Sequence, residues 1–400
     1  MTMILMAVAA AAQGEYAARG VKTVTLKQPG TDFGYPACRL GEAVELAFDI
    51  LDSEYDRLEY SVRHCDSDFE VDDLMFNEFA EGFDMRPLDD YRESFNTLQH
   101  FTHYSLVIPN NDIKLTISGN YIVSVHDPDD PGNPILVRRF MVYEDNDPAT
   151  ISARVEQPFL PEYQAQCQQL YVTVDNSRLR VYNPDKYLKV YAIQNNDHNT
   201  RRRLKISGFL GDNIQYDLND GGNIFDGGNE YDFLDAKDVH FRPLGVDAIL
   251  YQTNHYHYYM TPQEYDDGYL SNGDINGAFY VKNDRGFDRD LESDYVEVTF
   301  RFKYDPFTDY DIYLYGSLTG WQCIDEYKLK WDAEAELWQV TTFLKQGLYN
   351  YKFILKDHDG TTVGYSTGSH FNTSNDYFIA VYTSLTRDRG DRLVACKVVK

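Results

Sequence analysis

SFNTLQHFTHYSLVIPNNDIKLTISGNYIVSVHDPDDPGNPILVRRF, residues 94–140, decides the fold. Its apolar side chains alternate with polar ones, Tyr104, Leu106 and Ile108 in one run and Tyr121, Val123 and Val125 in the next. A two-residue period belongs to strands that bury one face. Between the runs stand Pro109, Asn110, Asn111, Gly119 and Asn120. These are turn residues, because Pro fixes φ and lacks a donor while Gly and Asn tolerate positive φ. The stretch predicts consecutive antiparallel strands of a sandwich, with residues 127–134 as a longer loop. Nothing in it points to catalysis.

The same alternation recurs along the chain. Strands are expected at residues 21–26, 44–49, 59–65, 104–108, 121–125 and 136–143, closed by the polar, Pro-ended joint EDNDP at 144–148. A second series covers 151–156, 170–174, 188–194, 246–251 and 256–260. A third covers 295–302, 312–315, 337–343, 349–355, 377–382 and 393–399. No long segment keeps a 3.6-residue period, so helices should be short and few.

Four hundred residues exceed one hydrophobic core. The reading is an all-β chain of three consecutive β-sandwiches of immunoglobulin or E-set type: residues 13–147, 148–290 with long acidic loops, and 291–400. The 33 Tyr and 23 Phe suit pleated surfaces.

A net charge of −27 opposes polyphosphate backbones and anionic lipid surfaces, so nucleic acid is not expected as a partner. The first twelve residues, MTMILMAVAAAA, have the apolar run and small-residue end of a signal peptide without its basic start. They predict an exported, soluble mature chain beginning near Gln13. A membrane span needs about 20 apolar residues, and no other stretch approaches that, so direct membrane insertion is not expected. Cys38, Cys65, Cys167, Cys323 and Cys396 are odd in number and widely spaced. They read as small buried thiols, with a Cys38–Cys65 disulfide as the alternative in an oxidising compartment.

Several motifs invite chemistry. His255 and His257 share one strand face as metal ligands would, but two imidazoles lack the third ligand zinc requires. Tyr256 and Tyr258 on the alternate face are candidate partner contacts, against a core-packing alternative. The acidic, Gly-rich run at 217–235 fails the EF-hand spacing and reads as a solvated loop, as do 127–134 and 283–294. GSLTG at 316–320 is not a nucleophile elbow, and Walker, dinucleotide and zinc-hydrolase motifs are missing. No catalytic residue, cofactor or metal is therefore expected.

With these residues in view, the chain resembles the plug protein family of the type IX secretion system of Bacteroidota. The likeness rests on YSVRHC (60–65), SFNTLQHFTHYSLVIPN (94–110), SGNYIVSVHD (118–127) and RRFMVYE (138–144). It continues through GGNEYDFLD (227–235), DINGAFYVKN (274–283), LYGSLTGW (314–321), KQGLYNYKFIL (345–355) and YTSLTRDRGDRLV (382–394). The resemblance implies a non-enzymatic periplasmic protein that seals the periplasmic mouth of a large outer-membrane translocon barrel. Members of that family tend to carry Trp where this chain has Phe69 and Pro where it has Asp226, so surface contacts are expected to have drifted there. The third unit also resembles glycogen-binding modules, with Trp321 where one sugar platform would stand. The alternatives are therefore an exported carbohydrate-binding protein or the accessory domain of a secreted hydrolase.

Overall fold

The computed structural model describes residues 15–51, 57–144, 146, 148–384 and 389–400. The expected leader at 1–12 lies outside these residues, as do two positions of the 144–148 joint. Strands dominate; the helices among the described residues are single turns such as Phe76–Phe79 and Pro184–Tyr187. The chain is an all-β assembly of sandwich layers.

The opening stretch folds as its alternation requires. Phe101–Ile108 pairs antiparallel with Val44–Leu51, and Gly119–His126 lies between Glu59–Cys65 and Pro134–Tyr143. The two sheets close on one apolar core that holds Phe48, Tyr104, Leu106, Tyr121, Val123 and Phe140. The loop at 127–134 is held by its own turns, with Asp127 accepting from the Asp129 N–H and Asn133 donating to Asp130.

Beyond residue 148 the sheets divide differently from the expected order. Thr150–Glu156, Cys167–Asp175, Asn213–Tyr216, Gly208–Leu210 and Ile224–Asp226 form one sheet. The sheet facing it is built from Arg202–Leu204, Leu188–Gln194, Tyr377–Thr383 and Arg392–Val399. Their shared core joins Val172 and Ile214 to Ile379 and Val381. The last two strands, expected in the third series, therefore complete the second core: Tyr377–Thr383 pairs along its whole length with Leu188–Gln194. Everything from Asp232–Asp235 to Thr362–Tyr365 forms a third pair of layers inserted between them, around Val298, Phe300, Leu314 and Phe353. Alternation reports which face a strand buries but not which strand it pairs with, so a boundary at 290/291 was the simplest sequence reading and not the division the pairing makes.

The third unit includes two parallel contacts, His255–Met260 and then Gln263–Glu264 beside Tyr295–Lys303. Its longest strand, Gly347–Lys356, bonds first to Asp232–Asp235 and Phe279–Val281, then to Asp311–Tyr315 and Thr362–Tyr365.

Candidate functional site

The side chains that sequence reasoning would send to the surface converge instead where the sandwiches meet. On Val44–Leu51 the inward residues are Val44, Leu46, Phe48 and Ile50, so Asp49 points to the outer face, and on the neighbouring strand so do Phe101 and His103. That face is covered by the third unit. Asp49 is fully buried. It accepts from Lys345 Nζ at 2.7 Å and Tyr295 Oη at 2.7 Å, while His103 Nδ1 lies 2.7 Å from its other oxygen. The Lys345 ammonium also sits 4.0 Å over the Phe101 ring. Burial alone would raise the Asp49 pKa, but Lys345 and His103 outweigh it and hold the carboxyl below its ordinary value. Burial, with Asp49 alongside, pushes the Tyr295 phenol up.

Residues 94–100 form a strap over the same junction. Asn96 takes the left-handed conformation at φ 57°. The backbone N–H groups of Leu98 and Gln99 donate to the Asp294 carboxylate at 2.9 and 3.1 Å, and Phe95 N–H donates to Leu291 O. The acidic run at 283–294, expected to be a solvated loop, is thus the receiving surface: Leu291, Ser293 and Asp294 are buried. Its charges are used by contacts that lie far away in sequence, including Arg92 to Asp288 and Arg289 to Asp32.

Between the first and second units lies a separate apolar cluster of Phe69, Met141, Tyr191, Phe378, Tyr382 and Leu393. Phe69, where surface drift was expected, is 2 % exposed and lies under the guanidinium groups of Arg139 and Arg201. Around it Asp391 accepts from Lys189 Nζ at 2.9 Å and Ser67 N–H at 2.8 Å, and Tyr382 donates to Asn120 at 2.8 Å. Burial raises the Asp391 carboxyl, but Ser384, Ser67 and Lys189 together bring it below its ordinary value.

The second and third units meet around GGNEYDFLD. It ends the 217–235 stretch that was expected to be solvated, yet in that stretch Asn223, Phe225, Asn229, Glu230, Tyr231 and Leu234 are buried. It is the crossing from one core into the next. A Cβ on Gly227 would stand 2.0 Å from His370 O, so only glycine allows this approach. Beyond it, Tyr315 Oη donates to Asp197 at 2.5 Å, and Asn199 Nδ2 donates to Trp321 O at 2.9 Å. The Lys352 ammonium lies over Tyr231 and Tyr365, with Asp197, Asp274, Asp226 and Asp232 around it. Burial pushes Lys352 down to about 8, and burial raises Asp232 to about 6. Desolvation therefore outweighs attraction for both signs of charge.

The residues singled out from sequence take structural places. Tyr258 is fully buried in the third core, and Tyr256 packs partly buried against it. Trp321 is 8 % exposed and packs on Tyr315 and Tyr231, so it is no sugar platform. Sequence reasoning missed its burial because the residues that cover the ring, Tyr231 and Gly277, lie some forty to ninety positions away in the chain. His255 and His257 do share a face: His255 approaches Gln99 of the strap, and His257 bonds Thr299 and Glu297. Among the described residues no group of three or more His, Cys, Asp or Glu could hold a metal, and the five cysteines are free thiols. Sequence reasoning also missed Asp49, Lys345, Asp391 and Lys352. For Lys352 the available signal was a charged residue set between apolar neighbours, Tyr351 and Phe353, inside a strand.

Residues 21–144 match the family model described as Type 9 secretion system plug protein 1st domain. Nearly the whole chain is similar to a hypothetical protein from Parabacteroides merdae known from its crystal structure. The TM-score is 0.91 and the identity 28%, with 96% of this chain and 98% of that one covered. No curated protein matches. The matched segment is the first sandwich from its second strand onward, including the strap and the Asp49 strand through which it holds the rest of the chain, and residues 21–144 are thereby a first domain of the type IX secretion system plug protein family.

Proposed function

We propose that the protein is a non-enzymatic periplasmic plug that binds and seals the periplasmic opening of the outer-membrane type IX secretion translocon barrel when no cargo is passing. The observation that carries this reading is the match of the first sandwich to the plug family. The family is not an enzyme family. The architecture supports the role physically. An idle pore wide enough for folded cargo leaks unless its mouth is covered, and a cover must resist bending. Here charge networks and apolar packing tie each unit to both of the others, which opposes bending between them. No helix among the described residues is long and apolar enough to cross a membrane.

The carbohydrate-binding alternative loses its support, because the aromatic it needs is enclosed at a junction. The hydrolase-accessory reading rested on acidic loops, two of which are inter-unit contacts. Deletion of the gene tests the sealing role. The expected result is greater outer-membrane entry of a large antibiotic, restored by the wild-type chain; unchanged entry in a strain whose translocon is intact contradicts it.

A further inference from the structure

A cleft of about 370 Å³ opens where all three units meet. Its apolar walls include Val24 and Phe33 from the first unit and Phe279 from the third. That volume and lining match small-molecule sites, which are largely apolar with a few convergent polar groups.

The polar groups are unusual in one respect. Of the fourteen buried side-chain nitrogen or oxygen atoms without a hydrogen-bond partner among the described residues, five belong to residues lining this cleft. They are Tyr35 Oη, Arg139 Nε, Asn196 Oδ1, His198 Nδ1 and Ser317 Oγ, contributed by all three units. Unpaired buried polar atoms are costly, and such a concentration in one place calls for a partner. Four of the five can donate; Asn196 Oδ1 can only accept. The other lining charges are engaged: Glu15 with Arg138, Asp376 with Lys400, Asp32 with Arg289, and Asp274 with backbone N–H groups of Tyr231 and Asn276. The unmet demand is therefore for an acceptor-rich, anionic group beside Arg139, next to apolar walls.

We propose that this cleft binds a small amphiphilic carboxylate, its head group taken by Arg139, His198, Tyr35 and Ser317 and its hydrocarbon part by Val24, Phe33 and Phe279. The site is independent of the plug role and exists only when the three units are assembled. Burial lowers the His198 pKa, so its imidazole is neutral at physiological pH and the charge facing the ligand comes from Arg139.

The test is isothermal titration of the full chain with sodium octanoate, and in parallel with n-octylamine. Octanoate is expected to bind at least about tenfold more tightly than the amine, and Arg139→Gln to weaken it by about tenfold, as loss of a charge-assisted hydrogen bond does. Ser317→Ala is the second variant. By removing a hydroxyl without a partner it should leave the melting temperature unchanged or raised while weakening octanoate binding several-fold. Absence of octanoate binding at millimolar concentration, equal binding of the amine, or wild-type affinity in the folded variants overturns the proposal.

Discussion

Lys345, at the end of a strand of the third unit, donates to Asp49 of the first at 2.7 Å, and both side chains are 1 % exposed. The pair joins residues almost three hundred positions apart, with Tyr295 and His103 completing the carboxylate's partners.

Removing one member of such a pair leaves an uncompensated buried charge. Lys345→Met is expected to destabilise the protein by about 3–5 kcal/mol in urea unfolding, and adding Asp49→Asn to restore a large part of it. A loss below about 1 kcal/mol in the single variant would mean that the pair does not hold the junction.

The same carboxylate sets an acid limit. Its folded pKa lies below the ordinary 3.8, so its stabilising effect is fully present above that pH and fades as pH falls through the lower folded value. The stability difference between wild type and Asp49→Asn should be constant from neutral pH to about pH 5 and shrink below pH 4.

Lys352 gives the opposite dependence. Its folded pKa of about 8 lies below the ordinary 10.5, so between these values the unfolded chain binds more protons and stability rises with pH. That rise, measured by chemical denaturation from pH 8 to 10, should be absent in Lys352→Met. An identical pH profile in the variant would remove Lys352 as its source.

The inserted topology makes a sharper demand. A chain ending at residue 376 loses Tyr377–Thr383 and Arg392–Val399, half of one sheet of the second core. Limited proteolysis of it should cut within 150–226 and spare 232–365. Cleavage confined to 295–365 would instead support the boundary at 290/291.

At the second junction, Trp321→Ala should leave a void beside Tyr231 and Tyr315 and cost about 3–5 kcal/mol. A fully stable variant would show that the indole is not part of the packing.

Much of this fold was legible in the sequence, and the reason lies in period. Glu59–Cys65 and Leu188–Gln194 fall at the expected residues because alternation marks a strand wherever one face is buried. The site was not legible, because Asp49, His103 and Lys345 sit on strand faces that one sandwich alone would give to water. The acidic runs at 217–235 and 283–294 misled for the same reason. Polarity normally signals solvent, whereas Asn229, Glu230 and Asp294 are buried with hydrogen-bond partners supplied from distant parts of the chain. Phe69 and Trp321 show the converse: aromatics that look like surface or ligand contacts are covered by residues distant in sequence, from the second unit for Phe69 and from Tyr231 and Tyr315 for Trp321, which pattern alone does not place.

Docking of this body on the secretion barrel is the step on which the proposed sealing role depends. Detergent-solubilised outer membranes passed over the tagged full-length chain measure it directly. The expected result is recovery of the translocon barrel in near-stoichiometric amount from cells lacking active cargo export; a well-folded chain that recovers no barrel rules the docking out.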